Sequence, residues 1–172
     1  MIRQCLPRTI ADTRRARSGF TLIELVVALT ILSILAAAAI PYAELTITRS
    51  KELELRRSLR EVRTAIDRLH EDWETGKISK LGGGISDDGY PRTLQVLLEG
   101  AESGDAKGGK RKYLRRIPED PYGEPGKPPA EQWAMRGYQD EPDGLSWNGR
   151  DVYDVRSRSD RTAIDGTRYR DW

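Results

Sequence analysis

The chain holds one cysteine, Cys5, one histidine, His70, and one phenylalanine, Phe20, among its 172 residues. A lone thiol closes no disulfide within a chain, and one histidine beside it gives no zinc-ligand spacing. Cys5 also lies too close to Met1 to be a lipoprotein site, which needs an apolar run before it. Packing, not covalent bridging, must therefore stabilise any exported domain. No serine–histidine arrangement is present, and Gly82-Gly83-Gly84 lacks the strand–loop–lysine context of a phosphate loop. The expectation is that the chain is not an enzyme. Its net charge of +2 is misleading too. Residues 1–19 carry Arg3, Arg8, Arg14, Arg15 and Arg17 against Asp12, a net of +4. Without them, 24 basic and 26 acidic side chains remain, a net of −2. The basic excess belongs to the leader, so no nucleic-acid partner is predicted.

What the chain does have is one long apolar run. Phe20 to Ala43 spans 24 residues with a single charge, Glu24. A bilayer core needs roughly 20 apolar residues in a helix, so this run is long enough to span. The competing reading is a cleaved secretory signal, whose apolar region is about 7–15 residues with a small-residue cleavage site. Ala36–Ala39 imitates such a site, and that reading gives a soluble periplasmic protein. The run is longer than a signal, and Glu24 sits near its amino end. Basic flanks stay on the cytoplasmic side, so the arginines place the amino end inside and the rest of the chain outside.

The junction reads Gly19-Phe20-Thr21-Leu22-Ile23-Glu24. It resembles the processing site of type IV pilins and of the pseudopilins of type II secretion. In that superfamily a prepilin peptidase cuts after the glycine and methylates the new amino terminus, here Phe20. The resemblance makes Gly19 and Phe20 the processing residues. It makes Glu24, Phe20 and Pro41 assembly residues, with Glu24 paired to the charged amino terminus of a neighbouring copy. It divides the chain into a cleaved leader (1–19), a transmembrane assembly helix (20–43), its amphipathic continuation (44–76) and a periplasmic domain (77–172). Physically, a carboxylate in a membrane segment costs about 2.5–3.5 kcal/mol at the centre and tends to find a partner. The plain alternative for Glu24 is a carboxylate favoured by the helix dipole. Pro41 removes a backbone donor and loosens a helix, or else marks a helix boundary at the membrane surface.

Leu55, Leu59, Val62, Ile66, Leu69 and Trp73 follow alternating steps of four and three, one stripe of a helix. A coiled-coil seam is the competing use of that stripe. The pairs Arg57–Glu61, Arg63–Asp67 and Arg68–Asp72 have i,i+4 spacing. Gly76 offers a stop, so one helix is expected over about 21–75. His70 is expected as a solvated surface residue among charges.

Residues 77–89 and 100–112 read as loops, with a short helical turn over Thr93–Glu99 between them. Gln132–Tyr138 and Asp151–Arg156 alternate as strands, separated by turn signals. The fold expected is α+β: a long N-terminal helix packed against a small antiparallel sheet, pilin-like, with about 95 exported residues for a modest core. Two segments resemble the major, G-type pseudopilins: Pro91-Arg92-Thr93-Leu94, and Ile117-Pro118-Glu119-Asp120-Pro121-Tyr122-Gly123 with Tyr122 for the family's tryptophan. The same likeness implies calcium near the C-terminus, with Asp160 and Asp165 as candidate ligands. Hard cations take such oxygens. Yet Arg156, Arg158 and Arg161 crowd that stretch, and arginine–aspartate pairing is the alternative. Trp172 is expected to pack back on the sheet. The partners implied are the peptidase, further copies in a helical filament, other pseudopilins and an inner-membrane assembly platform. A surface pilus for adhesion, motility or DNA uptake is the alternative setting.

Overall fold

The computed structural model describes residues 19–80, 82–105, 108–144 and 146–172. The leader, including Cys5 and its arginines, lies outside the described residues apart from Gly19. The chain falls into two compact units, residues 1–43 and Glu44–Trp172. Helix α1 (Leu22–Glu74) contributes to both.

In the first unit, α1 begins one residue after Thr21. The Thr21 hydroxyl accepts the Glu24 backbone N–H at 3.3 Å, which satisfies one of the free donors of the first turn. Thr30 and Ser33 return their hydroxyls to the carbonyls four residues back, both at 2.8 Å. These two hydroxyls inside the apolar run are thereby satisfied within the helix. The helix continues through Pro41, which has no N–H to give.

In the second unit, α1 lays its stripe into the core. Leu55, Val62, Ile66 and Leu69 are fully buried, Leu59 nearly so, and Trp73 packs at the edge. The helix ends where expected: Gly76 takes a φ of +72°, and Lys77 N–H returns to the Asp72 carbonyl at 2.8 Å. Opposite the stripe lie Leu94 and Leu97, the latter on α2 (Gln95–Glu99), with Leu114, Ile117, Val152 and Tyr169. Trp133 joins them from β3 (Trp133–Arg136) and Val155 from β4 (Asp154–Ser157). These two strands pair antiparallel with Trp133 opposite Ser157 and Arg136 opposite Asp154. The fold is α+β, as expected, and consistent with a pilin-like arrangement.

The details depart from expectation at several points. Among the described residues there are two two-stranded sheets instead of one. Within the stretch read as a loop, β1 (Ala101–Glu102) pairs with β2 (Lys110–Arg111). Two-residue strands carry no readable alternation. Residues 77–89 are not simply a solvated loop either, because Ile78 and Ile85 enter the core. Before β3 a short helix, α3 (Pro129–Gln132), replaces the expected first strand residue. A closing 3₁₀ turn (Tyr169–Asp171) brings the end of the chain to the core.

Among the described residues none of the three expected ion pairs forms: Arg57 and Glu61 do not pair, and in the other two the partners are taken by other groups. Arg63 binds Asp154 at 2.7 Å and the Val155 and Trp172 main-chain oxygens at 2.9 and 2.5 Å, not Asp67. Asp72 holds Lys77 and Arg111 at 3.1 and 3.4 Å, not Arg68. His70 is not a solvated residue. Its ring stacks on Tyr90 at 4.3 Å and lies 5.9 Å from Trp73. Sequence neighbours of His70 are charged, but the side of the helix it faces is covered by a loop 20 residues away.

Candidate processing and assembly segment

Gly19 and Phe20 precede the helix, and both are exposed. A Cβ added at Gly19 would meet nothing within 4 Å, so the peptide after it is open to an approaching protease. Phe20 shows 78% of its surface. Thr21 is the cap, and Glu24 occupies the third helical position, exposed, one turn in. Threonine followed three residues on by glutamate is the capping-box spacing. The sequence reading passed over Thr21, although that spacing was its signal. The segment thus combines an open backbone, a firm helix start and a carboxylate near the positive end of the dipole.

Beyond it the helix surface is apolar all round. Leu22, Ile23, Leu25, Val26, Val27, Leu29, and then Ile31 to Leu35, are exposed. The best 18-residue window has a mean hydropathy of 2.5 and none of it is buried. A helix apolar on every face belongs in lipid or against other helices. This one fits a single-pass membrane anchor. Pro41 lies inside the same helix, with Glu24 seventeen positions before it.

Asp160 and Asp165 are held by other contacts. Asp160 pairs with Arg170 at 2.7 Å. Asp165 pairs with Arg56 at 3.3 Å and accepts the Thr167 hydroxyl and N–H at 2.6 and 3.0 Å. The Thr167 hydrogen bonds, more than Arg56, hold the Asp165 carboxyl below its usual range. Among the described residues no group of three or more histidine, cysteine or acidic side chains gathers. Calcium takes six to eight oxygens, and the donor set here does not fit it. The pairing alternative describes the geometry, with Arg56 and Arg170 in place of the arginines expected. Arg158 instead binds the Trp133 carbonyl at 3.1 Å, and Arg156 binds the Gly144 carbonyl.

The segment resembling the G-type pseudopilins is a structural lock. Asp120 is buried, takes the Ser157 hydroxyl at 2.6 Å and caps its own turn through Tyr122 N–H at 2.8 Å. The Trp133 indole donates to the Pro118 carbonyl at 2.9 Å. Tyr122 stacks on Tyr169 with centroids 4.1 Å apart and hydrogen-bonds it at 2.9 Å. Tyr169 in turn donates to the buried Glu52 of α1 at 2.9 Å. Trp172 packs edge-on against Tyr169, with Arg56 4.2 Å above its ring.

Residues 14–40 match the family model described as the prokaryotic N-terminal methylation motif. The match covers Gly19, Phe20 and Glu24 and ends just before Pro41, so the likeness is to this segment and not to the rest of the chain. No curated protein and no solved structure matches the chain.

Proposed function

We propose that this chain is a structural subunit of a periplasmic pseudopilus of the type II secretion system, most like the major G-type subunit. The observation that carries the reading is the exposed Gly19-Phe20 peptide set directly before a capped helix whose first half is exposed and apolar but for Glu24. In this reading the chain is the substrate of processing chemistry and performs none itself. Cleavage leaves Phe20 as the amino terminus, and its ammonium sits at the positive end of α1, where the dipole disfavours it. Glu24, one turn on, supplies the opposite charge. In a packed filament the same carboxylate pairs with the amino terminus of a neighbouring copy, and losing either charge strands the other.

The subunit is placed in the bacterial inner membrane with its amino end in the cytoplasm and Glu44–Trp172 in the periplasm. An assembly platform, with other pseudopilins, would extract it into a helical filament that drives exported proteins across the outer membrane. The absence of cysteine from residues 20–172 and the Asp120-Pro121-Tyr122-Gly123 turn support secretion over a surface pilus. The motif is shared by both, so a type IV pilin for adhesion, motility or DNA uptake is the second reading.

Terminal sequencing and intact mass of the protein from its native host test the pathway. N-methylated Phe20 is expected. Cleavage within Ala36–Ala39 would sink the filament reading altogether. With the pathway established, shearing of cells decides the setting: filaments released from the surface would favour the pilus.

A further inference from the structure

One cleft in the second unit concentrates positive charge that the fold does not use. It has a volume of about 680 Å³ and runs between α1 and residues 113–116. Arg57, Arg60 and Arg68 line it from the helix, and Arg115 and Arg116 from the facing segment. Its floor is apolar, made by the buried Ala65 and Leu114. Glu61 is the single acid on its wall, so the cleft carries a net of +4. Among the described residues, none of these five arginines makes an ion pair or a side-chain hydrogen bond. Elsewhere in the same unit arginines are engaged: Arg56, Arg63, Arg136 and Arg170 all hold aspartates. Five unpaired guanidinium groups around one cleft repel. That arrangement persists at low cost only where water or an anion neutralises it.

A complementary surface exists on the same unit. Tyr90, Tyr138 and Tyr153 cluster with ring centroids 5.1–5.5 Å apart. Tyr138 is 53% exposed and Tyr153 39%. Asp67 and Glu74 lie close enough to act on Tyr90, and Asp88 bonds Gln139 next to Tyr138. An exposed tyrosine cluster bordered by carboxylates is a good seat for guanidinium groups, which stack on rings and pair with carboxylates. Arg136 already lies 5.4 Å over the Tyr153 ring within the chain.

We propose that the arginine cleft of one copy receives the acidic tyrosine face of a second copy. The choice of a second copy as occupant rests on the filament reading and on this charge complementarity. Two different surfaces on one subunit make a heterologous contact, which propagates into an open helical assembly instead of closing as a dimer. The contact adds to whatever the apolar helices contribute. It also gives register, because like-charged faces cannot meet.

The test uses full-length chain in a Cys5→Ser background, with two differently tagged copies co-expressed. One carries Thr64→Cys beside the cleft, the other Gln139→Cys beside the tyrosine face. Oxidation should yield mixed disulfide dimers well above either single-cysteine control. Arg57→Glu with Arg60→Glu should lower that yield about tenfold, and Asp67→Arg with Glu74→Arg on the other copy should restore it. If the reversal disturbs folding, read by tryptophan fluorescence, Arg57→Gln with Arg60→Gln replaces it and should still lower the yield. Dimer yields indifferent to these charges would overturn the proposal. So would loss of binding to phosphatidylglycerol vesicles in the arginine variants with crosslinking unchanged, since the cleft would then serve lipid. Sequencing the amino terminus of the same samples separates the two ideas. N-methylated Phe20 without crosslinks removes this interface alone. Crosslinks without cleavage at Gly19 remove the filament pathway alone.

Discussion

Replacing Asp120 by alanine should loosen the second unit at one point. The carboxylate is buried and accepts two hydrogen bonds, from Ser157 Oγ at 2.6 Å and from Tyr122 N–H at 2.8 Å. These join the Pro118–Gly123 turn to β4, across 37 residues of chain. A hydrogen bond to a charged group contributes about 1.5–3 kcal/mol, so removing both should cost about 3–6 kcal/mol. That is a large share of the roughly 5–15 kcal/mol a domain has in hand. For a unit of this size it corresponds to a fall in Tm of about 10–20 °C. Ser157→Ala keeps the Tyr122 bond and should cost about half as much, and the two changes should be non-additive because they share one interaction. Thermal unfolding of the full-length chain in detergent, followed by tryptophan fluorescence, reads this directly. All four tryptophans lie in Glu44–Trp172, so the apolar helix is silent in the assay. Falls of less than about 3 °C for Asp120→Ala, well short of that loss, would refute the reasoning.

Gly89 has a φ of +83°, and a Cβ there would lie 2.5 Å from the Trp73 ring and 2.8 Å from His70. Gly89→Ala should therefore cost about 2–4 kcal/mol through backbone strain and displaced rings, seen as a lower Tm and a changed Trp73 environment. Alkaline pH should destabilise the fold. Burial, then the neighbouring Tyr153 and Tyr138 and the carboxylates Asp67 and Glu74, push Tyr90 up to about 12 from 10. Burial and hydrogen bonds to Asp72 and to Tyr122 and Glu52 likewise raise Tyr113 and Tyr169. The native state keeps these protons where the unfolded chain loses them, so stability is full below pH 10 and falls as pH rises toward 12 and beyond. Tyrosinate absorbance of the folded chain should retain a late-titrating fraction from Tyr90, Tyr113 and Tyr169; its absence would contradict this. At the acid end, burial raises Asp72 but is outweighed by hydrogen bonds from Lys77 and Tyr113 and by Arg111, so its net shift is downward. Its contribution is present above pH 3.8 and is lost as pH falls through the lower folded value. Millimolar calcium should leave Tm unchanged, because arginines occupy Asp160 and Asp165; a saturable rise would show that these contacts yield to the ion.

The long helix and its core stripe were legible because their information is local and periodic. Leu55 to Leu69 repeat every three or four residues, and the stop Gly76 sits next to what it terminates. The apolar run was legible by length alone, and the Gly19–Glu24 junction because processing is read from contiguous residues. What each charged or aromatic side chain does was decided by tertiary structure. Arg63 has Asp67 one turn away yet binds Asp154, 91 residues on, because β4 brings a second acceptor set to a partly buried position. His70 looks solvated among charges, but the Gly89–Tyr90 turn folds over it. The aspartates that suggested calcium meet Arg56, 109 residues earlier, and Arg170, ten residues later. β1 and β2 are two residues each, too short for any alternation, and exist because Ala101 is drawn into the core. Periodicity is a property of neighbours along the chain. Ion pairs, ring stacks and short ladders depend on which distant segments the apolar core brings together, and that emerges only when the whole domain has packed.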